Sequence, residues 1–263
     1  MSISESEKTV RPKKSIHLRV LSYNIHKGFN AGQEFTLEGI REAIELVHAD
    51  LVLLQEVQGA HSAHKKKVVN YKESQFEFLA DRLWPHYAYG KNAVYTKGHH
   101  GNALLSKFPL TFWENINITT NRFEKRGMLH AIVEIPELKD KHLHAICLHM
   151  DLLHGGRVQQ LKRLVQRIQA AVPFDAPLVI GGDFNDWREH ASTFLHDELG
   201  VSEVFAARTG LHARTFPVWF PFLRLDRIYF RGVKVRDSQC LTGEPWRRLS
   251  DHAALFADLE IGS

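Results

Sequence analysis

Cysteine is scarce in this 263-residue chain, with only Cys147 and Cys240. Both lie in apolar stretches that read as strands, which points to reduced, buried thiols and excludes a disulfide-built scaffold. Long apolar runs are absent, and none approaches the roughly 20 residues that a bilayer-crossing helix needs. Repeats, low-complexity tracts and an interdomain linker are also missing, which excludes a solenoid and favours one domain. An excess of one charge sign is small too. The formal net charge is +4 with neutral histidines, compatible with a polyanionic substrate but too low to imply nucleic acid by itself. Residues 1–14 carry Arg11, Lys13 and Lys14 without an apolar core. They are expected to form a mobile tail rather than a signal peptide, ahead of one domain over residues 15–263. The protein is expected to be cytoplasmic, with a visit to a membrane surface left open.

What is present is an alternation of periods. Ile16, Leu18 and Val20 repeat every two residues and predict a strand. Thr36 to Val47 predicts a helix with Leu37, Ile40, Ile44 and Val47 on one face. Leu51 to Leu54 reads as a buried strand, Gln75 to Leu83 as a helix and Asn102 to Ser106 as a short strand. Leu129 to Ile135 and His142 to Leu148 read as paired strands, and Val158, Leu161, Leu164, Val165 and Ile168 as the best helical stripe. Strands are predicted again at Pro177 to Ile180, Asp226 to Phe230 and Ala254 to Glu260. Residues 58–72, with His61, His64 and Lys65 to Lys67, read as the least ordered stretch. The mixture implies an α/β fold of sheets covered by helices.

Polar residues stand at the ends of these strands: Asn24, Glu56, His149, Asp183 with Asn185, and Ser250-Asp251-His252. Taken alone, each is a turn or cap residue. If Glu56, Asp183, Asp226 and Asp251 converge, their repulsion must be offset by a cation or an imidazole. Hard oxygen ligands with an amide favour Mg²⁺, with Mn²⁺ as the alternative. Glu56 is the first choice of direct ligand, followed by Asp251 and Asn24.

Seven short segments carry a resemblance. They are Ser22-Tyr23-Asn24-Ile25, Leu54-Gln55-Glu56-Val57, Gly101 to Ser106, Leu148-His149-Met150-Asp151-Leu152, Gly182-Asp183-Phe184-Asn185, Leu225 to Tyr229 and Ser250-Asp251-His252. In this order they resemble the endonuclease/exonuclease/phosphatase superfamily, whose fold is that of deoxyribonuclease I. The stretches Asn24 to Phe29, Gly98 to Asn102 and Lys125-Arg126-Gly127 resemble a compact bacterial branch of it. The resemblance implies a four-layer αββα sandwich of two packed mixed sheets and a divalent-metal-dependent phosphoester hydrolase. It implies that Glu56, Asn24 and Asp251 hold the metal and that Asp183 and Asn185 orient or deprotonate the attacking water. It further implies that Asp226 fixes the tautomer of His252, and that His149 and His252 contact phosphate or move a proton; both carry charge if their carboxylate neighbours raise the pKa.

Arg126 is the candidate phosphate clamp, because a guanidinium grips two phosphate oxygens. Asn102 is a candidate donor or site wall. Arg157 and Gln160 read as a solvated helix face. Of His99 and His100, which a strand sends to opposite faces, one is expected to meet phosphate. Trp219, Phe220 and Phe222 precede Asp226 and form a candidate substrate loop, fit to stack on an unpaired base or to meet lipid, or else a buried edge. The substrate is therefore a nucleic acid, or a phospholipid or small phosphoester. No obligate protein partner is implied, and an inactive phosphate-binding module remains the competing class.

Overall fold

The computed structural model describes residues 15–81, 83–138 and 141–262, so the predicted tail over residues 1–14 lies outside the described residues. In chain order the strands of the first sheet are β1 (Ser15–Asn24), β2 (Leu51–His61), β3 (His86–Tyr95), β4 (Gly98–Ser106), β11 (Lys234–Leu241) and β12 (Ala254–Gly262). The second sheet holds β5 (Leu110–Asn117), β6 (Gly127–Val133), β7 (Leu143–His149), β8 (Leu178–Asp183), β9 (Ser202–Glu203) and β10 (Asp226–Arg231). The helices are α1 (Leu37–Leu46), α2 (Ser62–Lys67), α3 (Gln75–Ala80), α4 (His154–Ala171), α5 (His190–Leu199) and α6 (Val204–Thr209).

The strand orders are β11-β12-β1-β2-β4-β3 and β5-β6-β7-β8-β10-β9. Each sheet has one parallel pair at its centre, β1 with β2 and β7 with β8, flanked by antiparallel neighbours. A parallel pair requires a crossover, and α1 and α4 supply it. Both helices are amphipathic for that reason. α1 buries Leu37, Ile40, Ala43 and Ile44, and α4 buries Leu161, Leu164, Val165 and Ile168.

Three apolar clusters separate four layers. The middle one joins Leu18, Val20, Leu51 and Leu53 of one sheet to Leu129, Ala145, Cys147 and Val179 of the other. The outer ones seat α1 and α3 on the first sheet, and α4 and α5 on the second. Burying each Leu or Ile stabilises the fold by roughly 1.5–3 kcal/mol relative to exposure. The αββα sandwich of two mixed sheets is therefore present, in a single domain.

The glycine pair at the end of β8 is needed for this packing. A Cβ on Gly181 would lie 2.6 Å from the Leu53 side chain of the facing sheet. Gly182 sits at φ +154°, where a Cβ would run into the Leu148 carbonyl on β7.

Several expectations are corrected. Residues 58–72 are not a loop throughout: β2 continues to His61, and the His61 side chain accepts from the His64 amide to start α2. His64 packs against the rings of His61, Phe29 and Tyr71. Val158 lies off the buried stripe of α4 and is exposed. Both cysteines are free, but only Cys147 is buried; Cys240 on β11 is half-buried.

Candidate active site

Strand register brings the polar residues together. His149 pairs with Asp183 across β7 and β8, and Asp183 pairs with Asp226 across β8 and β10. Asn24 ends β1 beside Gln55 of β2. Because β12 runs antiparallel to β1, the Ser250-Asp251-His252 turn before it returns to the same end. There Ser250 Oγ donates to the Asn24 carbonyl at 2.8 Å and locks the turn onto β1.

Asp183 is the centre of the cluster and is buried. Its Oδ2 accepts from Asn24 Nδ2 at 3.1 Å and lies 3.5 Å from His149 Nε2 and 3.8 Å from His252 Nε2. Its Oδ1 accepts from the Asn185 amide at 2.9 Å. Asn185, at φ +49°, also donates its side-chain amide to the Met150 carbonyl, which pins the loop after β7. Asp226 Oδ2 accepts from His252 Nδ1 at 2.9 Å, so the His252 tautomer is set by a buried carboxylate. The Phe216 ring packs 4.8 Å from the His252 ring.

The two histidines diverge in charge. Burial pushes the His252 pKa down, but the Asp226 charge and hydrogen bond outweigh it and raise it to about 10. His149 goes the other way, held well below the ordinary imidazole value by burial and by Arg126. The neighbouring carboxylates thus raise the pKa of His252 but not that of His149. Asp183 is raised above the usual carboxylate range by burial and by Asp226.

Glu56 occupies a bulge where the β2–β4 register shifts between Leu54 and Val57, with φ +56°. A non-glycine residue in this region costs of order 1–3 kcal/mol, and such strain gathers at functional sites. Glu56 Oε1 lies 3.5 Å from Asn24 Nδ2, while Oε2 meets Lys27 Nζ at 2.9 Å. Burial alone would raise the Glu56 pKa, but the Lys27 ammonium in contact with it prevails and holds it well below the usual range. Asp251 faces His26 Nδ1 at 3.7 Å. Lys27 and His26 were missed as site residues. Their place in the Asn24 to Phe29 stretch was the available signal.

Among the described residues, one cluster of acids and histidine is close enough to hold a cation. Asp183, Asp226 and His252 present ligand atoms within 4.8 Å of one another. The His252 imidazolium offsets one of the two carboxylates there, and Asp226 Oδ1 is buried without a partner. At Glu56 the counter-charge is the Lys27 ammonium, 2.9 Å from Oε2. The Glu56 carboxylate offers the hard oxygens that Mg²⁺ or Mn²⁺ prefers. Asn24 turns its amide nitrogen toward the carboxylates, so it offers oxygen to a metal only if the amide rotates.

Other residues fall into place around this centre. Arg126 Nη2 donates to Glu124 at 3.1 Å, and Nη1 lies 3.4 Å from His149 Nδ1. Asn102 directs its amide protons at the Gly127 and Cys147 carbonyls, at 2.9 and 3.4 Å, so it joins the sheets and has no proton left for phosphate. Arg157 and Gln160 are buried, contrary to the solvated face predicted. They hold the main chain of Asp151 and Leu152, and Arg157 lies 4.5 Å from the Trp187 ring centroid. His99 and His100 do diverge, toward Tyr89 and Tyr95 respectively. Trp219, Phe220 and Phe222 are exposed, which removes the buried-edge alternative, and the Val218 amide donates to the Asp251 carbonyl, placing their loop at the rim.

Comparison with known proteins follows the same outline. A family model described as Endonuclease/Exonuclease/phosphatase family matches residues 21–252. Uncharacterized protein YbhP of Escherichia coli K12 is 44% identical over 245 residues, covering 92% of this chain and 96% of that protein. Among solved structures, an endonuclease/exonuclease/phosphatase from Bacteroides vulgatus superposes with a TM-score of 0.73 at 20% identity, covering 94% of this chain and 99% of the other. The mannosyl-6-phosphatase Bt3783 of Bacteroides thetaiotaomicron superposes at 0.69 with 18% identity, covering 92% and 99%. TDP2 of D. rerio, complexed with a single-strand DNA product, does so at 0.67 with 20% identity, covering 92% and 98%.

Proposed function

The chain belongs to the endonuclease/exonuclease/phosphatase family, and from that premise we propose that it is a divalent-metal-dependent phosphoester hydrolase using Mg²⁺ or Mn²⁺. The observation that carries the reading is the convergence on Asp183 Oδ2 of Asn24 at 3.1 Å, His149 at 3.5 Å and His252 at 3.8 Å, from distant segments.

The reaction is attack of water on phosphorus, with charge growing on the phosphoryl and leaving oxygens. Asp183, raised toward neutrality by burial and Asp226, is suited to take the proton of the attacking water, as a base works best with a pKa near the operating pH. Asn185 holds that carboxylate through its amide. The His252 imidazolium, fixed by Asp226, supplies positive charge and a proton at Nε2. Neutral His149 accepts from Arg126 at Nδ1, so its Nε2 carries the proton and can donate to a phosphoryl oxygen. Glu56 and Asp251, with Asn24 after rotation of its amide, would hold a divalent cation, which supplies Lewis-acid stabilisation of the developing charge.

Glu56→Ala tests this directly. Calorimetric Mg²⁺ binding should disappear, and hydrolysis of bis-p-nitrophenyl phosphate should fall about a thousandfold, worth about 4 kcal/mol. Circular dichroism should be unchanged. Unaltered Mg²⁺ binding would remove Glu56 from the metal site. If no ester is hydrolysed with any metal, the phosphate-binding module becomes the better reading.

The exposed rim favours a second reading of the substrate as a phospholipid or other amphiphilic phosphoester. Trp219, Phe220 and Phe222 are exposed, and so are Phe123, which lines the cavity with Glu56 and Arg126, and Leu152, whose amide meets Glu124. Trp219→Ala is expected to lower kcat/KM about tenfold on a natural substrate, since one stacked or inserted aromatic contributes roughly 1–3 kcal/mol. The small chromogenic ester should lose less than twofold; equal losses on both would make the loop structural. Activity that rises with anionic vesicles selects lipid, whereas a steep fall with salt selects nucleic acid.

A further inference from the structure

Beside the Glu56 bulge lies a cavity of about 180 Å³, lined by Lys27, Tyr95, His100, Lys125 and Arg126 together with Glu56 and Glu124. That is room for about six waters at ~30 Å³ each, enough for a phosphate group and its hydration. Three side chains of the lining are cationic. One of them, Arg126, has its Nε–H buried without an acceptor, a state that protein interiors rarely tolerate unless a ligand or water supplies one.

His100 adds a neutral donor. Its Nδ1 lies 3.2 Å from the Tyr95 hydroxyl; when Nδ1 accepts that proton, Nε2 carries the ring hydrogen. Burial and the Lys27 charge hold its pKa near 4, so it stays neutral at working pH. The two acids of the lining are already engaged. Glu124 pairs with Arg126 at 3.1 Å, and Glu56 pairs with Lys27 at 2.9 Å. Once the Glu56 charge is met by another cation, the Lys27 ammonium is released next to this cavity. The local balance then changes from nearly neutral to strongly positive.

We propose that this cavity is a second anion site, which takes a phosphate that the substrate carries beside the one being cleaved. The proposal rests on the phosphoesterase reading and deepens it: the preferred substrates are bis-phosphorylated, and Lys125, Lys27 and Arg126 select them. Arg126 forms the wall shared by the two sites, with Nη1 near His149 and Nε unpartnered.

Two matched substrate pairs test it with Mg²⁺. The first is thymidine 5′-(p-nitrophenyl phosphate) with and without a 3′-phosphate; the second is a hexose 1,6-bisphosphate against the hexose 6-phosphate. In at least one pair the member with the extra phosphate should show at least a tenfold higher kcat/KM, carried by KM. Which pair responds tells a nucleotide scaffold from a sugar scaffold. In Lys125→Ala that ratio should fall to within about twofold of one.

A second measurement needs no turnover. Inorganic phosphate is titrated calorimetrically into metal-free Glu56→Gln, in which Lys27 is freed and no metal competes for the anion. It should bind at least fivefold more tightly than to Glu56→Gln/Lys125→Ala. Hydrolysis of all substrates with a ratio near one in both pairs overturns the second site, as does a phosphate affinity indifferent to Lys125. Absence of any hydrolysis, with phosphate binding still dependent on Lys125, overturns the catalytic reading and leaves the anion site standing.

Discussion

Asp183→Asn is expected to lower phosphoester turnover by about a thousandfold or more while leaving the melting temperature at pH 7 unchanged or raised. The kinetic loss follows from removing a general base, worth typically 10²–10⁴-fold. It also replaces an acceptor of Asn24 and Asn185 with an amide whose nitrogen must face one of those donors. The thermal result follows from the direction of the pKa shift. Burial and Asp226 raise the Asp183 pKa in the folded state above its unfolded value. Ionising it therefore opposes folding at pH values above the unfolded pKa, and a neutral isostere removes that cost. Activity and thermal unfolding measured on the same preparation decide the matter. A large fall in melting temperature with activity retained would show Asp183 to be a structural residue.

Asp226→Asn is expected to remove the charge from His252 as well as its orientation. The folded His252 pKa is raised to about 10, chiefly through Asp226 acting against burial. A raised imidazole pKa contributes stability that is fully present below the unfolded value near 6.5 and is lost as pH climbs through about 10. For a pair this buried, breaking it costs on the order of 3–5 kcal/mol. Metal-free wild type should therefore lose stability in urea between pH 6.5 and 10, and Asp226→Asn should flatten that slope. The His252 ring resonances in the variant should titrate below pH 7, and turnover should fall by about 10²–10⁴-fold. An unchanged His252 titration would mean that Asp226 does not set its charge.

Much of this architecture could be read from residue patterns, and the exceptions share a cause. β1, β8 and the crossover helices declare themselves because one or both of their faces are buried, so apolar periodicity is strong. β3 and β5 were missed because they are edge strands: only Ala88, Gly90 and Ala93 of His86–Tyr95 are buried, and most of the Leu110–Asn117 side chains are exposed. α5 was missed because only Ala191, Leu195 and Leu199 of its ten residues are buried.

The site shows the same division. Asp183, Asp226, His149 and His252 sit in short motifs, so their types and order were legible. The Glu56 bulge was not, because no glycine or asparagine marks its left-handed backbone. The Lys27 ion pair was not legible either, since it joins positions that only the sheet brings together. The buried roles of Arg157 and Gln160 escaped for a related reason: polar side chains at helical spacing look solvated until their partners on the Asp151 loop are known.

The pairing of one parallel couple at the heart of each sheet has a consequence for how such a protein can diversify. The reacting groups are anchored where β1, β7 and β8 end, at the β2 bulge, and where β10 and β12 begin, and the central strands are clamped between dry layers on both sides. The segments that shape the entrance, around Phe123, Leu152 and Trp219, are exposed to solvent and lie outside the strands. Lengthening or exchanging them leaves the anchored groups in register. Chemistry and choice of substrate can then change independently, and grafting an entrance loop from a relative should transfer preference without rebuilding the machinery beneath it.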